Sequence, residues 1–188
     1  MSLAEDIFWG SDKLERFAVD RTLIESLPRS IFRRSKRLKE ISLYRNRLTT
    51  LEDGIFGGLI KLKVLILRKN QLSFVSNSLL RGLSELRQLD LSNNRIRTVE
   101  GNAFASLKKL EELKLHENRV LYFNDTDQPT WSHLTGLREH SYMMSTRFLN
   151  SRTSSLFVIV TVTVTQLFNT IVYFWGTTLI PSQCGHHM

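Results

Sequence analysis

Few residues in this chain stand at spacings that support chemistry, and those that do lie far apart. Cys184, His186 and His187 fall within four positions near the C-terminus, and thiolate and imidazole are common zinc ligands. They lack a fourth ligand at regular spacing and occupy a chain end, so they read as a tail and no metal site is assigned. His116 and His133 have no nucleophile nearby in the pattern. No glycine-rich phosphate loop, paired catalytic carboxylates or nucleophile elbow occurs. An enzyme is therefore not expected, and neither is a cofactor. The single cysteine excludes an intramolecular disulfide framework. What remains is cationic. Arg29, Arg33, Arg34, Lys36, Arg37 and Lys39 form a dense basic run in a chain of net charge +8. Such a run is a solvated face or a patch for a polyanion such as a sulfated glycan. Nothing adds the aromatic spacing or groove-reading helix that nucleic-acid binding requires, so nucleic acid is not an expected partner.

The elements that must position these residues are periodic. Leu38, Leu62, Leu86 and Leu110 stand 24 residues apart, and each opens the pattern LxxLxLxxNxLxx followed by Leu, Val or Phe. Asn46, Asn70, Asn94 and Asn118 recur at the same place in each repeat. Three repeats continue with a bulky apolar residue and a leucine three later, as Phe56/Leu59, Leu80/Leu83 and Phe104/Leu107. Alternation in xLxLx puts two apolar residues on one side of a short strand and three variable ones on the other. The asparagine falls where the chain leaves the strand. Its amide both donates and accepts, so it satisfies backbone groups that the turn leaves unpaired. One coil cannot bury its flat faces alone, so coils stack, with strands side by side at about 4.8 Å.

On these residues the chain resembles a leucine-rich repeat protein, and its period is similar to that of receptor ectodomains and secreted matrix proteins. The resemblance implies an α/β-type repeat solenoid: a curved horseshoe with a parallel β-sheet on the concave face and an irregular or short helical convex side. It also implies a protein ligand on the concave face, and repeats outside the cell.

The outward strand positions form columns across the coils. One reads Arg16, Glu40, Val64, Gln88, Glu112; the next, Ala18, Ser42, Ile66, Asp90, Lys114. A third reads Asp20, Tyr44, Arg68, Ser92, His116, and the last Arg21, Arg45, Lys69, Asn93, Glu117. Tyr44, Val64 and Ile66 are apolar residues directed away from the core, with Arg45, Arg68 and Lys69 beside them. Tyrosine and arginine are enriched at interface centres, so these six residues are the candidate partner site. Ordinary surface variation is the competing reading.

Residues 1–13 carry no signal-peptide pattern; Ile7, Phe8 and Trp9 read as a lid on the first coil, or else the chain is a fragment. A degraded repeat opens at Leu14, with Phe17, Val19, Ile24, Leu27 and Phe32 in register; Thr22 replaces the asparagine and Ser35 the last leucine. The repeats thus run over 14–136, in coils opening at 14, 38, 62, 86 and 110. The last carries an insertion within Asn124–Thr130, where Asn124-Asp125-Thr126 is a glycosylation sequon usable only in the secretory pathway. From Leu137 the pattern fails, and 137–155 read as a degenerate cap or linker, or as chain foreign to the repeats. Residues 156–180 hold no charge and are long enough for a transmembrane helix, although Val-Thr alternation also suits a strand. Residues 181–188 form a tail. Arg147 and Arg152 before the apolar stretch, with no signal peptide, point to cytosolic repeats on a tail anchor; the family resemblance points outside. The expected function is a protein-recognition domain, membrane-anchored if 156–180 spans a bilayer. The alternatives are a polyanion binder and a receptor fragment without a role of its own.

Overall fold

The computed structural model describes residues 3–4, 7–8 and 11–120, and the backbone of three further strands, Tyr122–Asn124, Arg147–Leu149 and Leu156–Val158. Each repeat places one three-residue strand at its alternating segment. These are β1 (Arg16–Ala18), β2 (Glu40–Ser42), β3 (Val64–Ile66), β5 (Gln88–Asp90) and β7 (Glu112–Lys114). They form one parallel sheet in the order β1-β2-β3-β5-β7. Register follows the period: Ile41 pairs with Phe17 and with Leu65, and Leu89 with Leu65 and Leu113. Hydrogen bonding continues past the strand ends, with Leu43 N–H donating to Ile66 O (2.9 Å) and Arg45 N–H to Arg68 O (3.0 Å).

The opposite side of the coils is irregular, as expected, apart from short strands that pair across coils. Every regular element among the described residues is a strand. A second parallel ladder is built from β4 (Phe74–Val75), β6 (Thr98–Glu100) and β8 (Tyr122–Asn124), in the order β4-β6-β8. Each coil after the second therefore pairs with its neighbour twice. The remaining return segments are successive turns, such as Gly57 N–H to Gly54 O (2.7 Å) and Leu59 N–H to Phe56 O (3.1 Å).

The core is the column of leucines. Leu38, Leu62 and Leu86 are fully buried, as are Ile41, Leu65, Leu89 and Leu43, Leu67, Leu91. Each such side chain contributes about 1.5–3 kcal/mol by leaving water. Phe56/Leu59, Leu80/Leu83 and Phe104/Leu107 close the core from the return side, at 0–1% exposure. At the N-terminal end the filling is aromatic. Phe8 meets Phe17 edge-on at 4.9 Å, Phe17 meets Phe32 at 5.6 Å, and Phe32 stacks on Phe56 at 5.8 Å. Phe8 is buried over the first coil while Ile7 is exposed.

Each asparagine ties its own coil to the preceding one. Asn70 Nδ2 donates to Leu43 O of the preceding coil (2.9 Å) and to Leu67 O of its own (3.0 Å), and its Oδ1 accepts from Leu48 N–H (3.1 Å). Asn94 and Asn118 repeat the arrangement one and two coils on. Asn46 reaches back to Val19 O, and Thr22 Oγ1, which stands in the asparagine position of the first coil, donates to Asn46 Oδ1.

A helix over 156–180 does not hold at its first three residues. Leu156–Val158 is strand β10, antiparallel to β9 (Arg147–Leu149), in keeping with the strand preference of Leu-Phe-Val. No helix among the described residues is long and apolar enough to cross a membrane. The rest of that stretch, Trp9, His133 and Cys184–His187 lie outside the described residues.

Candidate functional site

The concave face splits into a closed and an open part. Ser42, Asp90 and Ser92 belong to the outward columns, yet they are buried, Ser92 completely. Short side chains there sink between longer neighbours and pair locally. Ser42 Oγ donates to Asp20 Oδ1 (2.6 Å), and Ser92 N–H (2.9 Å) and Oγ donate to Asp90 Oδ1. Sequence columns fix direction and not depth. Tyr44, Val64, Ile66 and Arg68 are half-buried, and Arg45 and Lys69 are exposed.

Tyr44 is the centre of the open part. Its N–H donates to Asp20 Oδ1 (2.9 Å), which anchors the backbone beneath the ring. Two cations stand over the ring, the Arg21 guanidinium at 5.8 Å and the Lys69 ammonium at 5.9 Å, from the coils on either side. Such contacts are worth about 0.5–1 kcal/mol at exposed sites. Arg68, in the same column as Tyr44, turns the other way, and its Nε donates to Asn93 Oδ1 (3.2 Å). The expected grouping of Tyr44 with Arg68 and Ile66 thus becomes Tyr44 between Arg21 and Lys69, with Val64 and Ile66 on the adjoining strand.

Arg21 escaped the sequence reading because its column carries a backbone feature that cations do not announce. Arg21, Arg45, Lys69, Asn93 and Glu117 all have positive φ, between 53° and 57°. Only Asn93 is a residue type that favours this region. The left-handed residue ends each strand and aims the next residue, the asparagine, into the core. It also throws its own side chain out along the sheet edge.

The basic run divides between a cleft and residues outside it. Arg29, Arg33 and Lys36 line a cleft of about 370 Å³ on the return side, with Asp53 and the Gly54–Gly57 turn. Lys36 Nζ donates to Gly57 O (3.4 Å). Arg29 lies 3.8 Å from Glu52. Asp53 stays ionised, because hydrogen bonds from Ser76 and Ser78 hold its carboxyl below the ordinary range. Lys39 is drawn away to Glu15 Oε1 (2.8 Å), and this hydrogen bond lowers the Glu15 carboxyl in turn. Arg34 and Arg37 are exposed and do not line the cleft. His116 is half-buried, and its Nδ1 has no hydrogen-bond partner among the described residues. Asn124 is placed only as backbone, in β8, paired to Glu100.

Among solved structures the chain is similar to one from the Drosophila Toll–Spatzle complex, a hub in development and innate immunity, at 28% identity and a TM-score of 0.69. It is also similar to a chain in an octameric complex of Latrophilin 3, Unc5D and the repeat protein FLRT2, at 30% identity and a TM-score of 0.62. A third likeness, to a chain of the LRIM1/APL1C complex, has 22% identity and a TM-score of 0.66 and speaks to the fold alone. These matches cover 73%, 71% and 73% of this chain but only 19%, 40% and 24% of the others. Comparison with curated proteins finds no match. The sequence pattern of the leucine rich repeat family matches residues 12–72 and 60–120, over the same coils that stack in the structure. With more than half of its length matched and every asparagine of the ladder in place, the chain belongs to the leucine-rich repeat family.

Proposed function

We propose that this chain is a protein-recognition module, and that its partner docks on the concave face around Tyr44, Arg45, Val64, Ile66, Arg68 and Lys69. The observation that carries the reading is the Tyr44 ring, flanked by Arg21 and Lys69, with outward Ile66 of β3 near it. A rigid aromatic with a polar tip, held by flanking cations, is well suited to anchor a partner. Two of the similar structures are complexes between different proteins. The resemblance to receptor ectodomains supports repeats outside the cell, and glycan on Asn124 is the mark to look for.

The test is capture with the immobilised full chain, followed by affinity measurement on whatever protein is recovered. Tyr44→Ala/Arg68→Ala should fold normally, since neither side chain enters the core. It should weaken binding by about 2 kcal/mol or more. Full affinity in this variant refutes the concave site. A second reading is favoured by the cleft lined by Arg29, Arg33 and Lys36, whose chemistry suits a sulfated glycan. Retention on heparin at physiological salt, lost in Arg29→Ala/Arg33→Ala, would transfer the function there.

A further inference from the structure

The two edges of the concave sheet handle charge differently. At the edge where strands begin, charges pair across coils: Glu15 with Lys39 (2.8 Å), Glu85 with Lys109 (2.6 Å), Arg16 with Glu40 (2.7 Å), and Arg87 with Glu111. At the edge where strands end, Arg45, Arg47, Arg68, Lys69, Arg95 and Arg119 succeed one another over four coils. None of the ion pairs formed among the described residues joins Arg45, Arg68, Lys69, Arg95 or Arg119 to a carboxylate. Of the carboxylates near this edge, Asp90 lies mid-row but is buried and taken by Ser92, and the others sit at the ends. Asp20 is taken by Ser42 Oγ and Tyr44 N–H, Glu25 lies beyond it in the first coil, and Glu117 stands in the last.

The side chains are thrown outward by the backbone. Arg45 and Lys69 have positive φ, and both are exposed. Pairing at one edge and its absence at the other leave a field that a single acidic segment can neutralise along its length. From the coil of Arg45 to that of Arg119 is three steps of about 4.8 Å, a span of roughly 14 Å that about five extended residues cover. Beside this row lie Tyr44 and Ile66, the last residue of β3. A sulfated glycan carries its charge along its whole length and engages an apolar strip weakly, whereas a protein segment with one apolar or aromatic side chain among its acids engages both.

We infer that the strand-exit edge from Arg45 to Arg119 is a docking strip for an acidic protein segment, one of whose apolar residues seats against Tyr44 and Ile66. The inference rests on the concave face being the partner surface and names the chemistry of that partner. It implies attraction that weakens with added salt and an apolar contact that does not.

The probe is a fluorescent synthetic octapeptide of glutamates interrupted by one leucine and one tyrosine, titrated onto the full chain at physiological salt. Polyglutamate of equal length and a heparin octasaccharide serve as comparisons. Arg45→Glu/Lys69→Glu should weaken the mixed peptide by at least about tenfold. Glutamate is tolerated at this backbone position, since Glu117 occupies it with φ of 56°. Lys61→Glu/Lys63→Glu, on exposed residues before β3, changes net charge equally and should alter binding less than about twofold. Equal loss in the two charge variants overturns the strip, as does failure of the wild-type chain to bind the peptide. Tighter binding of heparin than of the mixed peptide overturns it in favour of a glycan. Loss in Tyr44→Ala, with both charge variants at wild-type affinity, overturns the strip and leaves the concave site standing. Loss in Arg45→Glu/Lys69→Glu, with Tyr44→Ala unchanged, supports the strip and removes Tyr44 from the site.

Discussion

Asn70→Ala isolates what the asparagine ladder contributes, because the ladder is redundant on one side and not on the other. Asn70 Nδ2 donates to Leu43 O and Leu67 O. Leu43 O also accepts from Asn46 Nδ2 (3.1 Å), and Leu67 O from Asn94 Nδ2 (3.0 Å). Both carbonyls therefore keep a partner when Asn70 is lost. Leu48 N–H does not, since among the described residues its partner is Asn70 Oδ1 alone. The expected cost is one orphaned buried donor, about 1–3 kcal/mol, plus two net hydrogen bonds of about 0.5–1.5 kcal/mol each. A total of about 2–6 kcal/mol should lower the melting temperature by on the order of 10 °C. Thr50→Ala, exposed in the preceding coil, should stay within about 0.5 kcal/mol of wild type. Asn70→Asp gives a sharper reading, because it replaces the donor with a carboxylate oxygen facing two carbonyls. That repulsion raises the folded-state pKa above the unfolded value of about 3.9. A raised pKa means the folded state gains protons first, so this variant should recover stability as pH falls through the folded pKa. Circular-dichroism melts of the full chain from neutral to acid pH follow the effect. The reasoning is refuted if Asn70→Ala melts with Thr50→Ala, or if Asn70→Asp is as stable as Asn70→Ala at neutral pH.

Two further outcomes follow from particular atoms. Ser35 is buried where later coils have Leu59, Leu83 and Leu107, and its Oγ has no hydrogen-bond partner among the described residues; Ser35→Ala should raise stability by about 1 kcal/mol in urea denaturation, and a loss would reveal a partner. The hydrogen bond from Lys39 holds Glu15 below the ordinary carboxylate range. A depressed folded pKa makes this contribution present above the unfolded pKa and lost as pH falls through the folded one. In an NMR titration, Lys39→Ala should return Glu15 to the ordinary range, and an unmoved midpoint would rule out Lys39 as the cause.

What was legible in the sequence was whatever repeats with a side chain to mark it. The inward strand positions held by Ile41 and Leu43, the asparagines and the returning Phe56 or Phe104 each need one kind of residue, so the period announces them. It does so even in the first coil, where Phe17, Ile24 and Phe32 stay apolar while Thr22 takes over from asparagine. Burial depth on the concave face was not legible. It depends on the sizes of the neighbours, and so Ser92 is sealed while Arg68 beside it in the same column stays half-buried. The second ladder was hidden for a different reason. Phe74–Val75 and Thr98–Glu100 are too short for alternation to register, and they pair because the first sheet has already set the coils in register. The left-handed column was hidden by composition, since arginine, lysine and glutamate hold four of its five places.

That column joins the fold to the function. In each coil the chain must turn inward after the strand to deliver the asparagine to carbonyls of two coils, and the left-handed residue before it makes the turn. The same turn leaves that residue's side chain outside, at the end of the strand. A substitution there changes the surface without touching a hydrogen bond of the ladder, provided the new residue accepts positive φ. Recognition at Arg45 and Lys69 can therefore vary while the core stays constant. In a solenoid where each coil contacts only its neighbours, a defect in the ladder weakens the stack, whereas a change at the edge alters only what the stack presents.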